Sequence, residues 1–274
     1  ITTNAFKIIG RIDSISAPAT SAVWYVGETR QISWSNTGTV TNVKIEYKTS
    51  AGGAWVSPAI VDSDGGHIAG ANNYTWLSIP DVKTEDAYVR VSSVANPEVT
   101  LTSGQFSIRP EIFVTDLKTD GAYDNGFVVG QNYANLIKWT YTGTTITNVN
   151  IFYDTAGGTG GYSGVVDNSG TVLVTDGAAG VAWNIPDSIA LVSNARIRVV
   201  DAGNGNVLGD SVDFKLRGGL TLTAPGSGVT WTASSTNNIA WNFGGAIATV
   251  NVYYDLNDVQ VAQVIQAVEH VQFG

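Results

Sequence analysis

One feature constrains this chain of 274 residues more than any other, because a short segment occurs three times along it. The copies read TNVKIEY from Thr41, TNVNIFY from Thr147 and TVNVYYD from Thr249. They are separated by about a hundred residues, which is the size of one small domain. The spacing therefore predicts that whole domains are repeated in tandem.

Further landmarks recur in the same order around these segments. Trp34, Trp139 and Trp241 precede the three copies, and Trp76 and Trp183 precede the motif IPD in the first two. Each of the first three alternates with an aliphatic residue, which is typical of the packed centre of a β-sandwich. We therefore expect all of these tryptophans to lie in the cores of homologous domains.

Within each copy, apolar residues recur with a period of two. Val43, Ile45 and Tyr47 fall on one face of their segment and polar residues fall on the other, as in a half-buried strand. Clusters of Gly, Asn, Asp and Ser separate such segments at intervals of about ten residues, which predicts an all-β chain of antiparallel sandwiches. The tail Val261–Gly274 fits either a helix or a strand, and its valine content favours a strand.

The landmarks divide the chain into an N-terminal extended segment, two full repeats and a partial third repeat, at residues 1–11, 12–109, 110–217 and 218–274. The linkers Arg109-Pro110 and Arg217–Gly219 are so short that we expect a semi-rigid rod. The third repeat is expected to supply two or three strands. Either the protein continues past residue 274, or strands of another molecule complete this domain.

The chain is acidic and has no cysteine. It carries 23 Asp and Glu against 14 Lys and Arg, a formal net charge of −9. Such a surface repels phosphate backbones and anionic lipid, so we expect no nucleic-acid partner. Disulfides and thiolate chemistry are excluded, and no apolar stretch is long enough to predict a direct membrane span.

The first repeat reads WxVG, ISW, NVKIEY, YTWxxIPD, VRV and SGQFSI between residues 24 and 108. This order resembles the Ig-like repeat of serine/threonine-rich GPI-anchored fungal wall proteins, which also occurs in tandem in large bacterial surface proteins of the S-layer-like kind. The resemblance covers nearly all of 12–108 and, more loosely, 111–216, where Asp213 departs from it. It implies tandem Ig-like or fibronectin-III-like sandwiches, the last one incomplete, in an extracellular setting.

Two aromatic residues lie in glycine-rich loops that differ between the repeats, Trp55 in GGAWVS and Tyr162 in GGYSG. Aromatic residues in such loops stack on sugar rings or dock on a neighbouring subunit, and they also fold back on their own domain. Asn73 begins the glycosylation sequon Asn-Tyr-Thr, although Thr75 is also explained as an ordinary strand residue. These residues are the candidate contact and modification sites.

Aspartate-rich turns are the candidate metal sites. They contain Asp62 and Asp64 in DSDGG, Asp120 and Asp124 in TDGAYDNG, and Asp201 in DAGNGN. Such turns can direct several oxygen atoms at one calcium ion, although Asp, Asn and Gly are also ordinary turn formers. Calcium is therefore the one cofactor that the sequence suggests.

No catalytic residues are expected. The chain has two histidines, neither of them beside a nucleophile elbow. The sequence thus predicts a non-catalytic extracellular structural protein that builds a cell-surface layer or filament with copies of itself. The alternatives are an adhesin or carbohydrate-binding module for cell-wall or surface glycan, and a spacer region of a large secreted enzyme.

Overall fold

The computed structural model of the chain describes residues 6–56, 67–69, 72–115, 117, 125–256, 259–267 and 271–273. These residues are nearly all in strands and turns, with a 3₁₀ turn at Val174–Ala178, so the predicted all-β class is confirmed. No helix in the described part of the chain has the length and apolar character needed to cross a membrane. Two compact units are formed, one of Ile1–Ile112, Tyr141–Thr147 and Gly203–Val207, the other of Phe113–Thr140, Asn148–Ala202 and Leu208–Gly274.

The first repeat is an Ig-like sandwich within the first unit. Its strands are β1 Arg11–Ala17, β2 Val23–Tyr25, β3 Arg30–Thr37, β4 Asn42–Lys48, β5 His67–Ala69, β6 Asn73–Trp76, β7 Thr84–Ser93, β8 Thr100–Thr102 and β9 Phe106–Arg109. One sheet has the order β1-β3-β6, and the other has the order β2-β9-β7-β4-β5 with β8 paired to β7. Strand β2 runs parallel to β9, whereas β4 and β7 are antiparallel. Two mainly antiparallel sheets in this order are the Ig-like arrangement.

The repeated segment forms the centre of the second sheet. Strand β4 pairs with β7 so that Ile45 lies opposite Val91 and Tyr47 lies opposite Val89. Val43, Ile45, Val89 and Val91 are at most 1 % exposed. Each buried aliphatic side chain of this kind stabilises the fold by about 1.5–3 kcal/mol, so the alternation predicted from the sequence is the basis of the core.

The second repeat has the same order of strands. They are β10 Ile112–Val114, β11 Phe127–Val128, β12 Asn132–Ile137, β13 Trp139–Tyr141, β14 Asn148–Asp154, β15 Gly164–Leu173, β16 Val181–Asn184, β17 Val192–Asp201, β18 Leu208–Asp210 and β19 Phe214–Arg217. The larger sheet has the order β11-β19-β17-β14-β15 with β18 on β17, while β12 pairs with β16 and β10 with β13. Strand β11 is parallel to β19, as β2 is to β9.

The landmark tryptophans of both full repeats are buried. Trp34 and Trp76 are 5 % exposed, and Trp139 and Trp183 are 2 % exposed, whereas Trp241 of the third repeat is half-buried. The indole Nε1 of Trp139 donates a hydrogen bond to the carbonyl oxygen of Val174 at 2.9 Å. The 3₁₀ turn therefore satisfies the polar atom of a core side chain.

The partial third repeat, within the second unit, has more strands than expected. They are β20 Gly219–Ala224, β21 Asn237–Gly244, β22 Thr249–Leu256, β23 Val259–Ala267 and β24 Val271–Phe273. Strands β20, β21 and β24 form one sheet, and β22 pairs with β23. The expectation of two or three strands was wrong, because the valine-rich tail folds back as β23 on β22 and as β24 on β21.

The third repeat exposes a side chain whose equivalent in the first repeat is buried. Ile12 lies opposite Asn36, and Leu220 occupies the same register position opposite Phe243. Ile12 is 8 % exposed, whereas Leu220 is 53 % and Leu222 is 61 % exposed. No described strand of the third repeat corresponds to β7 or β9, whose buried side chains form one core with Ile12 in the first repeat. We refer to the apolar side chains that line this side as the open face, which consists of Leu220, Leu222, Ile239, Trp241, Val250 and Val252; Ile239 and Val250 lie at its base and are buried.

Candidate functional site

The predicted contact residue Trp55 is engaged by cations of its own unit. Its ring centroid lies 4.4 Å from Cζ of Arg90 and 5.0 Å from Nζ of Lys48. The amide of Val56 donates to the carbonyl oxygen of Tyr47 at 2.9 Å, which fixes the loop to the end of β4. A half-buried indole in this position contributes cation–π energy of about 0.5–2 kcal/mol to its own domain.

Arg90 is held in place by a buried carboxylate. Glu46 is 4 % exposed, and it accepts from Nε of Arg90 at 3.1 Å and pairs with Nζ of Lys44 at 2.7 Å. Burial acts to raise the pKa of Glu46, but the hydrogen bonds from Lys44 and Arg90 outweigh burial and the pKa is lowered. The carboxylate therefore stays ionised and orients the guanidinium beneath Trp55.

The second predicted contact residue, Tyr162, is buried. It is 6 % exposed, and Cζ of Arg198 lies 3.9 Å from its ring centroid. Arg198 in turn makes two hydrogen bonds to the carboxylate of Asp210, at 2.6 and 2.7 Å. Burial, followed by the charge of Asp210, raises the pKa of the Tyr162 hydroxyl. The prediction of Tyr162 as a surface for sugar stacking is wrong, because the ring is covered by its own domain.

The two arginines occupy equivalent positions. Arg90 is the centre of Val-Arg-Val in β7, and Arg198 is the centre of Ile-Arg-Val in β17. In each full repeat, an aromatic ring from a loop of unrelated sequence thus packs on the arginine at this equivalent position. The sequence left open whether these aromatic residues form a contact surface or fold back on their own domain. In the structure, both loops fold back. The signal in the sequence was the arginine between two inward-facing aliphatic residues, which places its side chain on the outer face of the sheet.

Four of the five candidate calcium ligands, Asp62, Asp64, Asp120 and Asp124, lie outside the described residues. The fifth, Asp201, is the last residue of β17 and is 2 % exposed. In the part of the chain that the structure describes, no group of three or more His, Cys, Asp or Glu side chains is arranged to hold a metal ion. Calcium binding therefore stays a prediction, and Asp201 alone does not make a site.

Asn73, the candidate glycosylation residue, is exposed at the start of β6. It lies opposite Ser33 of β3 in the smaller sheet of the first repeat. Thr75 of the same sequon is also exposed on this strand. Glycosylation stays a prediction, and the sequon stands on a surface strand rather than in a loop.

A contact that the sequence analysis did not single out lies within the first unit, at the aspartate of the first IPD motif. Oδ2 of Asp81 accepts hydrogen bonds from the backbone nitrogen of Thr144 at 2.8 Å and from its Oγ1 at 2.7 Å. The preceding residue, Gly143, has a φ of +70°. A Cβ at Gly143 would lie 2.3 Å from Oδ1 of Asp81, so only glycine allows this loop to approach the carboxylate.

The second unit contains a corresponding contact at the aspartate of the second IPD motif. Oδ1 of Asp187 accepts a hydrogen bond from the backbone nitrogen of Gly245 at 2.7 Å. Gly245 has a φ of +86° and, like Gly143, stands four residues after the landmark tryptophan of its repeat. The donor is the glycine itself in one loop and the residue after it in the other. We refer to Asp81 and Asp187 as the junction aspartates.

The backbone beside each junction aspartate is also repeated. In each full repeat a Val-Gly turn, which we call the VG turn, precedes β3 or β12. Its backbone is hydrogen-bonded to the end of the last strand, β9 or β19, and to the isoleucine of IPD. These bonds are Val26 N to Arg109 O at 3.0 Å and Gly27 N to Ile79 O at 2.9 Å, and Val129 N to Arg217 O at 3.0 Å and Gly130 N to Ile185 O at 2.9 Å. Each junction aspartate therefore stands two residues after an isoleucine whose carbonyl group is hydrogen-bonded to the VG turn.

One further carboxylate of the first unit is strongly hydrogen-bonded. Glu85 accepts from Arg109 at 2.6 and 2.9 Å, from Ser107 at 2.8 Å, and from Nδ2 of Asn204 at 2.8 Å. These bonds, with Arg109 first, lower the pKa of Glu85 to about 2 although burial opposes the shift. The second repeat has Ser193 at the equivalent position of β17, so this cluster is not repeated.

Comparisons with known proteins give fold-level similarities. No protein-family model matches the chain, and no curated protein matches its sequence. Solved structures similar to it include fibronectin(III)-like modules of CbhA from Clostridium thermocellum, with 12 % identity, coverage of 74 % of this chain and 90 % of that chain, and a TM-score of 0.24.

Two other similar structures are tandem domains. The three N-terminal domains of the bacteriophage RB49 Highly Immunogenic Outer Capsid protein have 9 % identity, coverage of 96 % of this chain and 80 % of that chain, and a TM-score of 0.26. The I9–I11 tandem of titin has 8 % identity, coverage of 93 % and 82 %, and a TM-score of 0.30. Similarities at this level carry no inference about function.

Proposed function

We propose that the chain is a non-catalytic structural protein of the cell surface, a semi-rigid rod of Ig-like domains that builds a layer or filament with copies of itself. The observation that supports self-association is the open face of the third repeat. Leu220 and Leu222 are more than half exposed there, in positions where a complete repeat has a facing sheet. The extracellular setting rests on the resemblance of the repeat to those of wall and surface proteins.

The open face is apolar surface that remains in contact with water. Burial of apolar area stabilises an association by about 25 cal/mol per Å², and contiguous exposed apolar patches commonly mark contact surfaces. A second copy of the chain presents the same apolar face, so two copies packed with these faces together would remove both from water.

The test is the assembly state of the purified chain, measured by analytical ultracentrifugation and negative-stain electron microscopy with and without calcium. We expect ordered sheets or filaments, and a loss of assembly in Leu222→Asp. Leu77→Asp is the matched control, because Leu77 is 75 % exposed in the first repeat and lies outside the open face. Dispersed single molecules at every concentration, in both conditions, would contradict the proposal. Assembly that requires calcium would extend it to the aspartate-rich turns.

A second candidate function, a spacer in a larger secreted protein, is favoured by the junction aspartates. A spacer must hold successive domains in order, and the same kind of carboxylate contact occurs after each full repeat. A spacer would remain dispersed in the assembly experiment while keeping these contacts. Because Trp55 and Tyr162 are both engaged by arginines of their own units, we do not extend the proposal to glycan binding.

A further inference from the structure

We propose that the aspartate of IPD is the site at which each repeat binds the next one. Its carboxylate holds the glycine turn that stands four residues after the landmark tryptophan of the following repeat. Asp81 and Asp187 are thus positioning residues, and the glycine turns at Gly143 and Gly245 are their receiving loops. This inference rests on the proposed structural or spacer function and identifies the contact through which it would operate.

The contact occurs twice, with the same chemistry, once in each unit. Asp81 lies 2.8 Å from the backbone nitrogen of Thr144, and Asp187 lies 2.7 Å from that of Gly245. Hydrogen bonds from an amide to an ionised carboxylate are about twice as strong as neutral ones. The Glu85 cluster, by contrast, belongs to the first unit alone, so the aspartate is the component that both junctions share.

The receiving loops also share their shape. Gly143 and Gly245 have positive φ values, and successive backbone amides around a left-handed residue form a concave site for anionic oxygen. Each glycine also lies against the valine of the preceding VG turn. A Cβ at Gly143 would be 3.3 Å from Cγ1 of Val26, and a Cβ at Gly245 would be 2.6 Å from Cγ2 of Val129. The VG turn and the IPD aspartate therefore both contact the receiving loop.

The first repeat provides an internal reference. Gly38 stands at the same distance from its tryptophan and has a φ of +75°. A Cβ added there would meet only the backbone of Gly10, at 3.1 Å or more. Among the described residues, no carboxylate accepts a hydrogen bond from the amides of Gly38 or Thr39. Among the loops that the structure describes, the one at Gly38 thus lacks an aspartate partner, whereas those at Gly143 and Gly245 each have one.

The experiment is residue-resolved amide hydrogen exchange by nuclear magnetic resonance on the full chain, at concentrations where it is dispersed. We expect Asp81→Ala to speed exchange at Thr144 about tenfold, the loss expected for a charge-assisted hydrogen bond partly screened by solvent. Gly245 should be unchanged in this variant, and Asp187→Ala should give the reverse pattern. Asp81→Asn, which keeps an acceptor oxygen, should restore part of the protection at Thr144. The amides of Gly38 and Thr39 should exchange fast in every variant.

Two results would overturn the proposal. One is unchanged exchange at Thr144 and Gly245 when their own aspartates are removed. The other is a loss of protection spread over the strands of the first repeat in Asp81→Ala, measured at the buried Ile45 of β4, because the carboxylate would then stabilise its own sandwich. These readouts are separate from assembly, so a chain that fails to assemble still reports on the junction aspartates.

A second pair of variants keeps the test decisive if Asp81→Ala does not fold. Gly143→Ala and Gly38→Ala both place a side chain at a positive φ, but only Gly143→Ala drives a Cβ to within 2.3 Å of Asp81. We expect Gly143→Ala to speed exchange across the loop of residues 141–147 by at least tenfold more than Gly38→Ala does across residues 36–40. Equal effects in the two loops would contradict a specific role for Asp81.

Discussion

The guanidinium carbon of Arg198 lies 3.9 Å from the centre of the Tyr162 ring, in a loop that the sequence marks as exposed. Tyr162 is therefore a packing residue, and Tyr162→Ala should lower the free energy of unfolding by about 2–4 kcal/mol. Tyr162→Phe keeps the ring and should cost much less. Urea denaturation followed by tryptophan fluorescence measures both values. A cost of Tyr162→Ala no larger than that of Tyr162→Phe would contradict the burial of the ring.

Glu85 should make the stability of the first unit depend on pH. Its folded pKa of about 2 lies below the ordinary value of 4.5, so the folded state favours the ionised form. The resulting stabilisation is present above pH 4.5 and is lost as the pH falls towards 2. Because the Glu85 side chain is 37 % exposed, solvent screening limits the effect, and we expect Glu85→Gln to lower the Tm by only about 2 °C at pH 7. Thermal unfolding of wild type and variant should converge near pH 2, and parallel pH profiles would refute this assignment.

Equivalent positions of β1 and β20 should differ in their energetic weight. Ile12→Ala removes a buried side chain and should cost about 2–4 kcal/mol of unfolding free energy. Leu220→Ala removes a side chain that is 53 % exposed and should cost less than about 1 kcal/mol in the dispersed protein. Denaturant titrations at low and high protein concentration make the comparison. A cost for Leu220→Ala as large as that for Ile12→Ala at low concentration would mean that the open face is covered within a single chain.

A methyl group added at Gly177 should not fit into the core of the second repeat. A Cβ at Gly177 would lie 2.5 Å from the indole of Trp139, so Gly177→Ala should destabilise the chain by about 1–3 kcal/mol through overpacking. Gly205→Ala is the matched control, because nothing lies within 4 Å of a Cβ there. Thermal unfolding of the two variants measures the difference. Equal Tm values would show that the turn at Val174–Ala178 can move away from Trp139.

The strands were predictable because their signal is local. Val43, Ile45 and Tyr47 repeat with a period of two, and in β4 Val43 and Ile45 are buried as the alternation predicts, although Glu46 is buried as well and Tyr47 is half-buried. The burial of Trp34 and Trp139 follows from the same pattern, since each alternates with an aliphatic residue. A strand of period two commits its inward side chains to one face, so the sequence determines which residues share that face. Whether the face is buried depends on the facing sheet, as the exposed Leu220 and Leu222 show.

The contacts of the loops could not be predicted in the same way. Trp55 and Tyr162 look exposed because they are surrounded by glycine, but what covers them is an arginine on a strand many residues away. The partner of Asp81 is likewise Thr144, 63 residues further along the chain. Such pairs depend on how whole domains fold and meet, and neither residue carries a pattern that reveals the other. The repetition of IPD with a later glycine turn was visible, but its meaning required the geometry.

The parallel pairing of β2 with β9 has a consequence for how a repeat responds to a pulling force. Val23, Trp24 and Tyr25 run alongside Ser107, Ile108 and Arg109 in the same direction, so the chain enters and leaves this pair at opposite ends. Tension applied along the chain loads these hydrogen bonds in shear, and they must break together rather than one after another. The pair β11 and β19 repeats the arrangement. Each full repeat thus carries a parallel strand pair that tension along the chain loads in shear.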